Sequence, residues 1–241
     1  MTELLPEVVV TVPCVEGSEH PVRLRIHDWE RWEVVENPCS ALPRQAFASM
    51  SPCSAYVRER RAALRRAVAK ALSQAGPVAV PTLVQALGDG SASVRVAAYG
   101  ALVQIGSPSV PALVQALGDG DRDVRRLACE ALGAIGDATA VPALVQALGD
   151  GSASVRVAAC VALVQIGSPS VPALVHALGD GDRDVRRLAC EALVQIGSPS
   201  VPALVQALGD GDWLVRRAAC EALKRLGYDR ERLKREYGIR F

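Results

Sequence analysis

From Val80 onward the apolar residues fall into two alternating patterns. In the shorter, as in "SVPALVQALGD" (Ser109–Asp119), an apolar run follows a Val-Pro pair. Pro108 and Pro111 fall in an opening turn whose N–H groups lack intrahelical partners, and the glycine and aspartate after Leu117 stop the helix. In the longer pattern Val124, Ala128, Ala131, Leu132 and Ile135 fall at i, i+4, i+7, i+8 and i+11. That is one apolar face at helical spacing, opened by Asp121 as a good N-cap and closed by Gly136. Alanines on the face let helices approach closely.

The pair recurs. Val80-Pro81, Val110-Pro111, Val141-Pro142, Val171-Pro172 and Val201-Pro202 are spaced by 30 residues, stretched once to 31 where "GDATAVP" replaces "GSPSVP". "GDGDRDVRRLACEAL" stands at Gly118–Leu132 and again at Gly179–Leu193; between and before the copies lie "GDGSASVRVAACVAL" (Gly149–Leu163) and "GDGSASVRVAAYGAL" (Gly88–Leu102). A period of this size signals stacked repeats, since neither helix can bury its stripe alone. The register reaches back: "LRRAVAKAL" (Leu64–Leu72) aligns with Val124–Leu132, so residues 54–76 are expected to hold the second helix of a degenerate first repeat. The regular repeats occupy 77–227. Residues 228–241 are expected to form a capping helix, with Leu233 and Tyr237 as an i, i+4 pair over the last apolar face.

"VPALVQALGDGDRDVRRLACEALGAIGD" resembles the HEAT-like repeat of the phycobilisome-lyase type, also the basis of artificial HEAT scaffolds, with proline, Asp-x-x-Val-Arg, Ala-Leu and Ile-Gly in register. The resemblance spans about Pro77–Gly227. It implies an all-α fold, a right-handed α-solenoid of stacked helix pairs with the second helices lining its concave side.

Residues 1–53 differ in kind. "EVVVTVPCV" and "VRLRI", separated by "EGSEHP", read as a β-hairpin in which Arg23 and Arg25 alternate with Val22, Leu24 and Ile26. Residues 1–50 hold four basic and eight acidic residues, whereas the following helix sets Arg58, Arg60, Arg61, Arg65, Arg66 and Lys70 against Glu59 alone. The acidic segment is expected to fold back on the basic helix as a cap, with a free-standing binding arm as the rival reading.

Composition narrows the function classes. With 27 basic and 26 acidic residues there is no overall pull toward nucleic acid or an anionic membrane. No apolar run approaches the roughly 18 residues of a membrane helix, and the N-terminus lacks the features of a signal peptide, so a cytoplasmic protein is expected. Cys129, Cys160, Cys190 and Cys220 recur with the repeat, with Tyr99 in the equivalent first slot. Packed helices stand about 8–10 Å apart and a disulfide needs Cα atoms within about 7 Å, so these read as half-buried fillers between layers.

Catalytic signals are sparse. Cys14, His20, Cys39 and Cys53 could be assembled into a zinc site, but their spacing matches no familiar knuckle or finger. His176 replaces the outward glutamine of Gln115, Gln146 and Gln206. Deoxyhypusine hydroxylase, built from similar repeats, holds two irons through His-Glu pairs, and no His-Glu dipeptide occurs here. The bilin-lyase relatives offer no chromophore residues to carry over. No phosphate loop and no nucleophile with its base is visible, so no catalytic residue, cofactor or metal is expected.

The arginines after each core valine (Arg95, Arg125, Arg156, Arg186, Arg216) lie beside the turn aspartates and are expected to form a ladder between layers. Phosphate binding by that row is the minor alternative, weakened by the interleaved acids. Projecting the second helix at 100° per residue gives an outward column: Arg66, Lys70 and Ser73; Val96, Gly100 and Val103; Arg126, Glu130 and Gly133; Val157, Val161 and Val164; Arg187, Glu191 and Val194; Arg217, Glu221 and Lys224. Charged layers alternate with apolar ones. Exposed valines rimmed by charge mark a protein-binding surface. The expected function is a scaffold that binds another protein or peptide on this face. An accessory or catalytic protein of the bilin-lyase or hydroxylase kind is the alternative, and nucleic-acid binding through the arginines the third.

Overall fold

The computed structural model describes residues 74–238, Ala67 and Leu72, and the backbone of three strands, β1 (Val8–Pro13), β2 (Glu19–Ile26) and β3 (Trp32–Glu36). Two compact units result, residues 1–112 and 113–241.

In the first unit β1 and β2 pair antiparallel from Val8 opposite Leu24 to Pro13 opposite Glu19. A third strand, beyond the expected hairpin, adds β3 to β2 with an irregularity at Arg23/Leu24. A 3-10 turn, Gly76–Ala79, leads into α1 (Val80–Ala86), which packs on α2 (Ala92–Ile105). Leu83, Leu87, Val94, Ala98 and Leu102 are fully buried. Helix α3 (Val110–Ala116) lies across the division between the units.

The second unit repeats this pairing. Long helices α4 (Arg122–Ile135), α6 (Ala153–Ile166), α8 (Arg183–Ile196) and α10 (Trp213–Arg225) pack in succession, each of the last three against the short helix before it: α5 (Val141–Ala147), α7 (Val171–Ala177) and α9 (Val201–Ala207). A last helix, α11 (Arg230–Tyr237), buries Leu233. Among the described residues of 74–238 there is no strand, and the helical region is a repeat solenoid.

The short helices break off where the chain turns sharply, because Pro111 and its equivalents occupy the first helical turn after a 3-10 turn and two glycines follow the last. In two of those 3-10 turns a buried serine donates to the last turn of the preceding long helix, Ser109 to the Leu102 carbonyl at 3.1 Å and Ser200 to that of Leu193 at 2.8 Å. The long helices bury more than the predicted stripe. In α4, Leu127, Cys129 and Gly133 join Val124, Ala128, Ala131 and Leu132, while Ile135 at the helix end is only half-buried. Helix α6 packs along it, so its covered arc is wider than one apolar stripe. Each leucine so buried is worth about 1.5–3 kcal/mol over its exposed state.

The turns into the long helices share an aspartate that accepts from the N-cap N–H, while a side-chain cap bond is made by Asp121, Asp182 and Asp212 and not by Ser91 or Ser152. In the Asp119–Arg125 turn, Asp119 Oδ1 accepts from the Asp121 N–H at 2.7 Å, and the N-cap Asp121 accepts from that of Asp123 at 2.8 Å. Arg125 Nη1 then donates back to the Asp119 carbonyl at 2.8 Å. Arg95, Arg156, Arg186 and Arg216 make the same bond to the carbonyls of Asp89, Asp150, Asp180 and Asp210. The expected ladder is therefore mainly internal to each layer. Within the second unit two rungs cross layers: Arg125 grips Asp150 through Nε and Nη2 at 2.8 and 3.1 Å, and Arg156 lies 3.7 Å from Asp184.

The 31-residue repeat is built differently at its joint. Gly106, Gly167 and Gly197 close their helices at φ 75–78° with ψ between −133° and −141°, a region open essentially to glycine. Gly136 takes the left-handed form, φ 74° and ψ 15°, and Asp137 then accepts from the Thr139 N–H and hydroxyl. One turn earlier, a Cβ at Gly133 would lie 2.7 Å from Ala162 Cα and 2.9 Å from its Cβ. Gly133, expected on the outward column, thus faces α6 at close approach.

Two glycines of the same helix type should respond oppositely. Gly133→Val, although valine fills this slot at 103, 164 and 194, should cost about 1–3 kcal/mol through overpacking. Gly100, whose added Cβ meets nothing within 4 Å, should gain roughly 0.5–1 kcal/mol on change to Ala. Denaturant unfolding of both variants checks the pair; equal destabilisation would contradict the close approach.

A second expectation concerns acid. The Arg125 guanidinium holds the Asp150 carboxyl below the ordinary carboxylate range. A lowered folded pKa means that this stabilisation is present in full well above the unfolded value of about 3.9 and is lost as pH falls through the folded pKa. The melting-point gap between the wild type and Asp150→Asn should therefore hold at neutral pH and close in acid. A gap that persists in strong acid would show that the ionised pair is not its source.

Candidate protein-interaction surface

The outward column is best defined on α4 and α6. Arg126 Nη1 meets Glu130 Oε1 at 2.5 Å and its Nε lies 3.7 Å from Asp123. Facing them, Val157 is 56% and Val161 44% exposed. With Ala153, Ser154 and Ala158 these side chains line a shallow groove between the two helices. Nothing in the stack requires valine here, since the core position of the same helix is filled by the fully buried Val155.

The remaining predicted residues divide. Val96 is 66% exposed. Val103, Val164 and Val194 are half-buried rather than open, and within the second unit this third position turns toward the next layer, as where Gly133 meets Ala162. Arg187 is exposed and lies 3.4 Å from Glu191. Arg217, Glu221 and Lys224 are exposed on α10. Arg66 and Lys70 lie outside the described residues, as do Cys14, Cys39, Cys53 and the side chain of His20. His176 is exposed, as its place in the glutamine slot implies.

Two features escaped the sequence reading. Trp213, 56% exposed, opens α10 where earlier layers carry Ala92, Arg122, Ala153 and Arg183, and the Arg217 guanidinium lies 6.0 Å from its ring centre. The break in the repeat at 213 was the available signal. The second is a basic groove between α8 and α10, lined by Arg183, Arg186, Arg187, Arg217 and Arg225 with Glu221 as its one acid. Arg183 and Arg225 lie off the projected column, which is why the projection passed over them.

The repeated cysteines are interior groups. Cys129, Cys160 and Cys190 are free thiols and buried rather than half-buried, and Cys220 is intermediate. Burial pushes the Cys129 thiol up to about 12 and that of Cys160 up to about 11, and raises Cys190 as well. Among the described residues no group of three His, Cys, Asp or Glu side chains converges as a metal set. No single described helix is long and apolar enough to cross a membrane.

The sequence profile of the HEAT repeats matches residues 52–120, 110–182 and 171–234. The chain is a HEAT-repeat protein. The HEAT chain resembles several solved structures at lower similarity. One, the complex of CpcE and CpcF of phycocyanin lyase from Nostoc sp. PCC7120, is 26% identical, covers 60% of this chain and 97% of that one, and gives a TM-score of 0.42. An archaeal HEAT-like repeats protein from Thermococcus onnurineus NA1 is 14% identical over 73% of this chain and 82% of its own, TM-score 0.40. A designed armadillo repeat protein in complex with the peptide (KR)4 is 22% identical over 78% of this chain and 100% of its own, TM-score 0.37. At these scores membership rests on the profile match and not on the superpositions. No curated protein matches the HEAT chain.

Thiol chemistry should follow burial. Iodoacetamide applied to the native HEAT chain at mildly alkaline pH, followed by peptide mass mapping, should leave Cys129 and Cys160 unmodified until denaturant is added. Rapid native labelling of either would contradict the packing between layers.

Proposed function

We propose that this HEAT chain is a scaffold that binds another protein or peptide on the face formed by its long helices, the side the family resemblance makes concave. HEAT repeats commonly serve as protein-interaction scaffolds. The observation that carries the proposal is the exposure of Val157 and Val161 beside the Arg126–Glu130 pair. Fold maintenance does not call for apolar side chains there, and an apolar strip rimmed by charge suits a partner that removes it from water. Duplication of a charged and an apolar layer as one block explains their alternation, but not why valine is kept outside.

The same reading assigns roles to the chain ends. We assign residues 1–53 the role of covering the first apolar layer and residues 228–241 that of covering the last, where Leu233 is buried and the Tyr228 and Tyr237 rings stand 6.4 Å apart. Terminal repeats need such a polar cover. We place the protein in the cytoplasm. Nucleic-acid binding through the recurrent arginines has less support, because each gives Nη1 to the carbonyl of its own turn.

The test is a comparison of the wild type with a Val157→Ser/Val161→Ser variant. As surface substitutions they should cost within about 0.5 kcal/mol of stability each, while binding should weaken by roughly 1–2 kcal/mol per valine desolvated by the partner. Melting is followed by circular dichroism; binding is followed with a partner captured by the wild type, identified by mass spectrometry and purified. A variant that melts early puts the valines in the core. One that keeps both melting point and affinity removes this face as the site.

A further inference from the structure

The alternation of charged and apolar layers fails at one place. The first outward residue of successive long helices reads Val96, Arg126, Val157, Arg187, Arg217, so α8 and α10 are the first adjacent pair in which arginine faces arginine. Between them lies the groove of five arginines and one acid. Their commitments differ. Arg186 spends Nη1 on the Asp180 and Gly181 carbonyls, and Arg187 lies near Asp184 and Glu191 at 3.7 and 3.4 Å. Arg217 turns over Trp213 and not onto Glu221, and Arg225 is exposed at the end of α10. Among the described residues Arg183, Arg217 and Arg225 make no ion pair.

Like charges gathered in a partly enclosed groove repel one another, and the helix stack does not call for the two on α10: in the α4–α6 pair, where α4 carries the equivalent Arg122, Arg125 and Arg126, α6 packs with Val157 and Gln165 in the places of Arg217 and Arg225. Their arrangement favours an anionic occupant that lies across both helices. The floor and rim are apolar as well, through Leu214, Ala218 and the exposed Trp213. Guanidinium groups beside an aromatic ring suit carboxylates on a chain that also carries apolar side chains. A polyphosphate backbone fits less well, because Glu130, Glu191 and Glu221 recur along the same helices and would face its evenly spaced charge.

We infer that the α8–α10 groove binds an acidic segment of the partner protein, Asp or Glu side chains meeting Arg183, Arg217 and Arg225 while apolar neighbours reach toward Trp213 and the Val157–Val161 strip. This rests on the reading of the long-helix face as the interaction surface, and it names the chemistry of what lies there.

The test uses the full chain and three fluorescein-labelled probes, a (Glu-Leu) repeat peptide, its (Lys-Leu) counterpart and single-stranded oligo-dT, followed by fluorescence anisotropy at several salt concentrations. The (Glu-Leu) peptide should bind, and binding should fall with salt. Arg183→Gln/Arg217→Gln should weaken it by about tenfold, the scale of two partly screened pairs, while Arg183→Lys/Arg217→Lys restores most of the salt-dependent part. All these side chains are exposed, and unchanged circular dichroism confirms the fold. If only the Val157→Ser/Val161→Ser variant weakens the peptide, the interaction face stands and the acidic-segment inference falls. If neither variant matters, or the wild type does not bind the peptide, the groove is not such a site. Tighter binding of oligo-dT, lost on the glutamine change, would overturn the inference in favour of nucleic acid.

Discussion

Burial of a long helix between two neighbours is the constraint from which the rest of this structure follows. Val124, Ala128, Ala131 and Leu132 cannot leave water unless another layer stands beside them, and the same holds for Val155, Ala159, Ala162 and Leu163 on α6. Cooperation between layers is therefore compulsory. It explains why alanine and buried cysteine, rather than aromatic residues, fill the interface: small side chains let successive helices come close, and at Gly133 even a Cβ is too much.

Burial is non-directional and does not by itself set the angle at which each layer meets the next. The polar turns supply that direction. In the turns from Asp89 to Arg216 an aspartate carboxylate accepts from the N-cap N–H and an arginine donates back to that aspartate's carbonyl, so each long helix leaves its turn held by the same two bonds. Where the network extends between layers, as from Arg125 to Asp150, one turn is tied to the next. The surface is then free to vary, because neither core nor turn depends on residues such as Val157, Arg187 or Arg217.

That division of labour decides what could be read from the sequence. Helix pairs, the N-cap Asp121 and the closing glycines were legible because each obeys a local rule repeated several times over. Exposure of Val157 and Val161 was legible from helical periodicity alone. Periodicity misplaced Gly133 and overstated the openness of Val103, Val164 and Val194, since a projection of one helix carries no information about how near the next one comes. It also treated the arginines as links between layers, whereas the side-chain reach of arginine brings Nη1 back to a carbonyl six residues earlier. The basic groove belongs to two helices at once and appears only when both are placed.

The central claim, that layers are interchangeable because each meets only its neighbours, is tested most directly by removing one. Deleting Gly149–Leu178 joins Leu148 to Gly179 and re-creates "QALGDGDRDV" without a seam. Asp180 then takes the place of Asp150 opposite Arg125, and Ala192 that of Ala162 against Gly133. Far-ultraviolet circular dichroism of the shortened chain should show unchanged helicity per residue and one cooperative melt, somewhat lower than that of the parent. Helix loss beyond the deleted layer would contradict the account, because it would mean that contacts reaching past the adjacent layer hold the fold together.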